Sequence, residues 1–592
     1  MISGRPFRNN GEFFPTLVVV ILFSILAVRL FNLQVVRADI YRRLSEENRI
    51  RVIPVDAPRG HILDRHGEVM VCNRPSYVVS IVPFKLRQMD QTIRALGKIL
   101  DVDPQEIVER VNRSKFRRFE PVKIKRDIDF KTLAVIQERK LDLPGVIYQV
   151  EPRREYLQGR LASHLLGVVG EISPRELEVL SGRGYRYGSL IGKWGVEKQY
   201  EPFLRGNDGV QYVEVSALGR EIGPLPGRDP VEAKSGSDLV LAIDLSLQKV
   251  AEEALPDTAI GAVVAVDPSS GEVLAMVSRP TFDPNLFSTV VPESTWRRLI
   301  EDPACPLLNR AVQCSYPPGS ILKVVTAAAG LENGLISQHT RFAPCSGAYK
   351  YGERWFRCWR PEGHGSLELV DAMAQSCDVY FYQLGLKVGL ERWSKCATAC
   401  GLGAPLGLDL PNEAGGLIPT RAFYDQRYGK KKWSTGVLLN LSIGQGEILV
   451  TPLQMASFIA AVANGGTIYR PHLVREICSP AGKTLPIKPE IVGHLPLSAN
   501  NLKVIKRALR AVIHHPQGTG RLAAIAGVVV AGKTGTAQNP HGEDHAWFMG
   551  FAPLDNPQIA VAVLVEHGGH GGAAAAPIAG KVIGAYLRRG GL

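Results

Sequence analysis

Ser320-Ile321-Leu322-Lys323, Ser376-Cys377-Asp378 and Lys533-Thr534-Gly535-Thr536 follow one another along a chain of 592 residues. Between them they supply a serine that can be activated, a lysine three positions on, a second hydroxyl, and a cationic segment able to hold a carboxylate. Those are the groups needed to acylate a serine without a histidine. Tyr316-Pro317-Pro318-Gly319 cannot propagate a helix, so one is predicted to start at or near Ser320, run to Leu331 and end at Asn333-Gly334. Residues three apart share a helix face, which brings Lys323 Nζ within reach of Ser320 Oγ. Burial lowers a lysine pKa, and a neutral amine can take the serine proton. A serine at a helix N-terminus also gains backbone N–H donors for a developing oxyanion. Lys533 follows the apolar run Ala526–Ala531, which reads as a buried strand, and Gly532 and Gly535 let a substrate backbone lie against it. Each string alone has a plain structural explanation, as a helix cap, a surface lysine or a core hydroxyl. Their order, on a helix start, a turn and a strand, is what points to chemistry.

The elements that must position these groups are spread over more than one core, because a chain of this length divides into a few domains. The composition, 45% hydrophobic and 21% charged, is that of a globular protein. The net charge of +13 includes a cluster at Arg113, Lys115, Arg117, Arg118, Lys123, Lys125 and Arg126. No aromatic-interleaved or Gly-rich binding motif accompanies it, so a solvated basic face is expected rather than nucleic-acid binding. Contact with anionic headgroups or wall polymers is the alternative. Phe13 to Val28 carries no charge, and Leu30 to Val36 can complete a membrane span past a snorkelling Arg29. An uncleaved signal anchor over 13–36, after a cytoplasmic tail of 1–12, is expected. Arg5 and Arg8 precede it and Arg37, Arg42 and Arg43 follow, so charge does not orient it. Gly223–Pro230 is a breaker-rich junction. Beyond it, Asp238–Asp244 reads as a strand and Leu247–Leu255 as a helix. Gly261–Asp267 and Glu272–Val277 read as a hairpin about Pro268-Ser269-Ser270-Gly271. Gln558–Val565 is a further strand, Gly568–Ala576 a loop, and Ile578–Leu587 a closing helix. The expected fold is α+β, with helices packed on an antiparallel sheet.

S-x-x-K with S-D-N and K-T-G is the signature shared by β-lactamases and penicillin-binding proteins. Over almost its whole length the chain resembles a class B penicillin-binding protein. Asn309-Arg310-Ala311 and Tyr316–Ser320 match that family's approach to its nucleophile. Arg59–Gly67, then Arg154-Glu155-Tyr156 through His164–Gly167, then Gly192–Tyr200 with Leu204-Arg205-Gly206, resemble its three non-catalytic motifs. Leu157 stands where the family usually has proline, a departure that touches loop shape. Asp378, His545-Ala546-Trp547-Phe548 and Gly363-His364-Gly365 resemble the elongation rather than the division members. The resemblance implies a pedestal domain over 37–230 and a transpeptidase domain over 237–592. It implies Ser320 as acylated nucleophile and Lys323 as general base. Ser376 would relay protons, and Asp378 would position Lys323 and substrate. Lys533 would supply positive potential, Thr534 and Thr536 would bind the substrate carboxylate beside Gly535, and the N–H groups of Ser320 and Thr536 would form the oxyanion hole. The reaction implied is cross-linking of D-Ala-D-Ala stem peptides during elongation, trapped by β-lactams, with weak carboxypeptidase activity.

Cys345, Cys358, His364 and Cys377 lie between the first two catalytic strings. Their spacing is not that of a zinc finger, but three thiolates and an imidazole make a closed, structural zinc set. Some elongation-type relatives hold zinc in this region, with His364 and Cys377 at matching positions. The alternative is a Cys345–Cys358 disulfide outside the membrane, with His364 capping a turn. Cys72, Cys305, Cys314, Cys396, Cys400 and Cys478 remain; Cys305 and Cys314 could pair across a short loop, whereas Cys396 and Cys400 are awkwardly placed for a bridge. Competing readings are a division-type enzyme, a β-lactam sensor, a noncatalytic scaffold and a β-lactamase; no E-x-x-L-N loop supports the last. The chain has no room for a glycosyltransferase domain. The resemblance therefore implies a separate partner, a SEDS glycosyltransferase of the RodA type, beside other elongation-complex proteins.

Overall fold

The structure is a computed structural model and describes residues 13–41, 50–83, 86, 89–113, 121–215, 221–289, 291–430, 432–540 and 542–589. The tail 1–12 lies outside these residues, as do Arg42, Arg43, Lys115, Arg117 and Arg118. The chain forms two compact units, one of Met1–Ala57, Tyr77–Glu151 and Asn207–Lys234, the other of Pro58–Ser76, Pro152–Gly206 and Ser235–Leu592.

In the first unit the helix Phe13–Phe31 passes into a π turn, Asn32–Val36. Phe14–Val36 is 23 residues of mean hydropathy 2.4 with none of it buried. At about 1.5 Å per residue that is about 35 Å, long enough to cross a hydrocarbon core of about 30 Å. The Ser24 hydroxyl donates back to Val20 O at 2.8 Å, which satisfies it without water. A three-stranded sheet joins Ile50–Val55, Gly209–Val215 and Glu221–Pro224. Two members of the basic cluster are held by acids: Lys123 Nζ donates to Asp56 at 2.5 Å and Glu151 at 2.8 Å, and Arg126 Nη1 reaches Glu151 at 3.1 Å.

The second unit is built on a five-stranded antiparallel sheet in the order Val273–Arg279, Gly261–Val266, Ile559–Val565, His545–Ala552, Ala531–Ala537. Alternate residues feed two cores. Ala262, Val264, Ala562, Leu564, Trp547 and Met549 face one side, with the helix Pro452–Ala463. Val263, Ala265, Val561, Val563, Ala546 and Phe548 face the other, with the C-terminal helix. Burial on both faces explains why these strands are apolar throughout instead of alternating.

Three expected elements are placed differently. Ser320 lies in a 3-10 turn, Gly319–Leu322, and the α-helix proper runs Lys323–Glu332. The run Ala526–Ala531 is not a strand: it turns through Gly527, with Val529 38% exposed, and the strand is the K-T-G string itself, Ala531–Ala537. The closing helix begins at Gly571, inside the expected loop, because the Ala573–Ala576 run favours helix. Its first glycine has a packing reason: a Cβ on Gly571 would lie 2.2 Å from both Gly535 O and Trp547 O.

The three non-catalytic motifs meet in this unit around Glu197, which is fully buried. Arg59 Nη2 donates to Glu197 Oε2 at 2.7 Å and to Glu201 Oε2 at 2.8 Å, while Arg154 Nε donates to Glu197 Oε1 at 2.6 Å. The motif glycines let backbones touch: a Cβ on Gly60 would lie 1.8 Å from Ser237 O.

Candidate active site

The proline pair of Tyr316–Gly319 bends the chain into the nucleophile turn, and several contacts fix that turn. Trp547 Nε1 donates to Pro317 O at 3.0 Å, and Gly319 N donates to Gly444 O at 2.9 Å. Gly319 has φ +58, and a Cβ there would lie 2.5 Å from Thr536 O, so only glycine lets the turn sit against the K-T-G strand. Behind the turn, Tyr316 OH and Arg310 Nε both donate to Glu566 Oε1, at 2.6 and 2.8 Å.

Lys323, fully buried, points to the second string. Its Nζ donates to Asp378 Oδ1 at 2.7 Å, to Ser376 O at 2.8 Å and to Ser376 Oγ at 3.1 Å. Ser376 has φ 52, a left-handed conformation that turns its hydroxyl inward immediately before the helix Asp378–Val388. Lys533 Nζ reaches the same hydroxyl at 2.9 Å and its own neighbour's carbonyl, Thr534 O, at 3.0 Å. One hydroxyl thus bridges two buried lysines. Burial, and then the positive charge of Lys323, push Lys533 well below the ordinary lysine value. Burial pushes the Asp378 carboxyl up, against the pull of Lys323. The 3-10 turn keeps Ser320 and Lys323, three apart, on one face; Ser320 lines the cleft, and Lys323 Nζ holds Asp378 and Ser376.

That cleft, of about 700 Å³, is lined by Ser320, Ser376, Asp378, Thr534, Gly535 and Thr536 among others. The K-T-G strand is the edge of its sheet, so one side of its backbone is free for a substrate. Gln445 Nε2 donates to Thr536 O at 3.2 Å from that free side. A strand residue's N–H and C=O point the same way, so Thr536 N–H also faces the cleft. Thr534 Oγ1 lies 2.7 Å from Thr519 Oγ1.

The four sequence-selected ligands come together as well: the donor atoms of Cys345, Cys358, His364 and Cys377 all lie within 4.8 Å of one another. His364 Nδ1 is 3.5 Å from Cys358 Sγ and 3.7 Å from Cys345 Sγ. A tetrahedral zinc with bonds of about 2.0 and 2.3 Å sets its nitrogen and sulfurs about 3.6 Å apart, so the donors fit such an ion. The hydrogen bond from Cys377 draws the Cys358 thiol down to about 2, whereas that bond and burial push Cys377 up. All nine cysteines are free thiols, Cys345 and Cys358 included. The cluster abuts the lysine–serine site twice. Cys377 separates Ser376 from Asp378, and the residue after Cys358, Trp359, donates its backbone N–H to Asp378 Oδ2 at 2.9 Å.

Sequence reasoning missed Trp359, Thr519 and Gln445. The last two had a signal in the breaker-rich Gly518-Thr519-Gly520 and Gly444-Gln445-Gly446; Trp359 acts through its backbone and had none.

A serine opening into a cleft beside two lysines, a bridging hydroxyl and a free strand edge defines an enzyme that works through an acyl-serine. The family models agree: residues 261–584 match the penicillin binding protein transpeptidase domain, and residues 54–241 match the penicillin-binding protein dimerisation domain. The chain is similar to peptidoglycan D,D-transpeptidase MrdA of Acinetobacter baumannii, 35% identical over 95% of this chain and 85% of that protein. Among solved structures it is similar to penicillin-binding protein 2 in complex with MreC from Helicobacter pylori, with TM-score 0.79 and 29% identity over 92% of this chain and all of that one. It is also similar to a structure described as structural coordination of polymerization and crosslinking by a peptidoglycan synthase complex, with TM-score 0.71, 31% identity and 98% of each chain covered. The chain belongs to the class B penicillin-binding proteins, and within them it resembles penicillin-binding protein 2.

Proposed function

We propose that this chain is a serine D,D-transpeptidase that cross-links peptidoglycan stem peptides during cell elongation. The observation that carries the reading is the Ser376 hydroxyl held between Lys323 and Lys533 beside an open Ser320. Two ammonium groups on one hydroxyl repel, so one amine must be neutral in the reactive state. With Lys323 as that amine, its Nζ accepts the proton of Ser320 and Ser376 carries it onward, while Lys533 keeps its charge for the substrate carboxylate. Ser320 Oγ attacks the penultimate D-Ala carbonyl, whose oxyanion is met by the N–H groups of Ser320 and Thr536. The terminal carboxylate lies against Thr534, Thr536 and the potential of Lys533. Ser376 returns a proton to the departing D-alanine amine, and a neighbouring stem amine then attacks the ester. A β-lactam acylates the same serine and stays.

Cys345, Cys358, His364 and Cys377 would hold one structural zinc ion, which supplies a cross-link and no chemistry because four protein ligands leave no open position. Residues 37–230 serve as pedestal, 237–592 as transpeptidase domain, and 13–36 as the anchor that sets the catalytic region on the extracytoplasmic side of the cytoplasmic membrane. MreC accompanies the Helicobacter relative, and a peptidoglycan synthase complex contains another. A SEDS polymerase of the RodA type is the partner this implies for the present chain.

The test is an intact mass spectrum after exposure to penicillin, beside Ser320→Ala. A persistent adduct absent from the variant is expected. A folded protein that takes no adduct, or one whose adduct survives the substitution, overturns the assignment.

A further inference from the structure

The charges lining the cleft are not symmetrical. Arg357 and Arg521 bring cations to its rim, and Asp378 is engaged by Lys323. Asp544 remains: it lines the cleft, is half-buried, and its Oδ1 accepts only the Asn539 backbone N–H, at 3.4 Å. Among the described residues no cation pairs with it. A carboxylate facing a cleft that must also receive a carboxylate is a liability unless the two lie at opposite ends.

The register puts them there. The reading above places the terminal carboxylate at Thr534 and the reacting carbonyl at Thr536 N–H, so the substrate runs antiparallel to the strand, its N-terminal part toward Ala537. Ala537 pairs with His545, so Asp544 stands opposite Gln538, two residues beyond Thr536. At about 3.3 Å per residue that is about 7 Å further along. The residue preceding the two D-alanines begins one step beyond the reacting carbonyl, and an extended side chain on it covers the remainder. Thr519, which meets Thr534, and Arg521 line the opposite end, where on this reading D-alanine leaves and the acceptor enters.

We propose that Asp544 binds the side-chain ammonium of the residue preceding D-Ala-D-Ala in the donor stem, making the enzyme selective for donors that carry a free amine there. This rests on the transpeptidase reading. A half-exposed ammonium–carboxylate contact of this kind supports about tenfold selectivity, weakening as salt rises.

The experiment uses two thioester donors ending in the D-Ala-D-Ala surrogate, one with lysine before it and one with Nε-acetyl-lysine. Acylation is followed by thiol release with no acceptor present. The full chain should prefer the free amine about tenfold. Asp544→Asn should bring that ratio to about one, and Asp544→Lys should invert it. No preference in the wild type, a ratio that survives Asp544→Asn, or an equal loss for both donors in a variant that still takes penicillin overturns the proposal. A preference appearing only when an acceptor amine is added would assign the ammonium to the acceptor and equally overturn it. Failure of penicillin itself to acylate Ser320 would instead sink the underlying reading.

Discussion

Replacing Ser376 separates two things the structure places on one residue, a proton path and a strained backbone. Its hydroxyl bridges Lys323 and Lys533 at 3.1 and 2.9 Å, while its φ of 52 puts an ordinary residue in the left-handed region. That conformation costs about 1 kcal/mol in any residue with a Cβ and little in glycine. Ser376→Ala keeps the strain and removes the hydroxyl; Ser376→Gly removes both. Lys323 stays anchored in each, because Asp378 Oδ1 at 2.7 Å and the carbonyl of residue 376 at 2.8 Å remain. Lys533 keeps only Thr534 O, at 3.0 Å, and one lost bond to a buried amine costs about 1–3 kcal/mol. Loss of a positioned proton relay slows a step by about 10²- to 10⁴-fold. Second-order acylation by penicillin, read by quenched mass spectrometry, should therefore fall by that factor in both variants, about 3–5 kcal/mol of barrier. Thermal unfolding should place the glycine variant at or above the alanine one. Acylation within about tenfold of wild type in both would refute the relay. Recovery in the glycine variant alone would show that backbone geometry, not the hydroxyl, was what mattered.

Other consequences can be checked in the same preparations. Glu197→Gln leaves two buried guanidiniums facing a neutral amide and should destabilise the fold by about 3–5 kcal/mol, seen as a lowered thermal midpoint; a shift indistinguishable from wild type would show the motif cluster to be dispensable. Burial lowers His164 to about 4, with its Nε2 donating to Pro306 O at 2.7 Å. The unfolded state, with a value near 6.5, therefore binds more protons between those values. Its stabilising contribution is full above about pH 6.5 and is lost as pH falls toward 4, about 1–3 kcal/mol after discounting for partial exposure; His164→Asn should flatten that slope of midpoint against pH. Metal analysis should find one zinc per chain, absent in Cys358→Ser, with acylation falling alongside it because Trp359 N–H no longer fixes Asp378; chelation that removes zinc while leaving midpoint and acylation untouched would sink that link. Gly319→Ala drives a methyl to 2.5 Å from Thr536 O and should abolish acylation in a protein that still folds.

What could be read from the chain, and what could not, follows from where each interaction keeps its signature. The meeting of Ser320, Lys323, Ser376, Asp378 and Lys533 at one cleft was legible because each side chain stands at a fixed offset from a breaker or a turn. The hairpin about Pro268–Gly271 and the strand near Ile559 were legible because both faces of the sheet are buried, so they are written as uninterrupted aliphatic runs. That same rule failed at Ala526–Ala531, where the aliphatic run turns at Gly527 and the true strand is the less apolar Ala531–Ala537. There the strand is held by backbone pairing to His545–Ala552 and by the close approach of Gly571, and neither leaves a mark in side-chain hydropathy. The Lys323–Asp378 pair was expected from the family resemblance, and the shared face of Ser320 and Lys323 was legible because a 3-10 turn, like an α-helix, keeps residues three apart together. The partner that holds Asp378 in place, Trp359 N–H, is a backbone donor that any residue but proline would supply. Cys358 beside it belongs to the Cys/His cluster, so that cluster and the Lys323–Asp378 pair share one stretch of backbone.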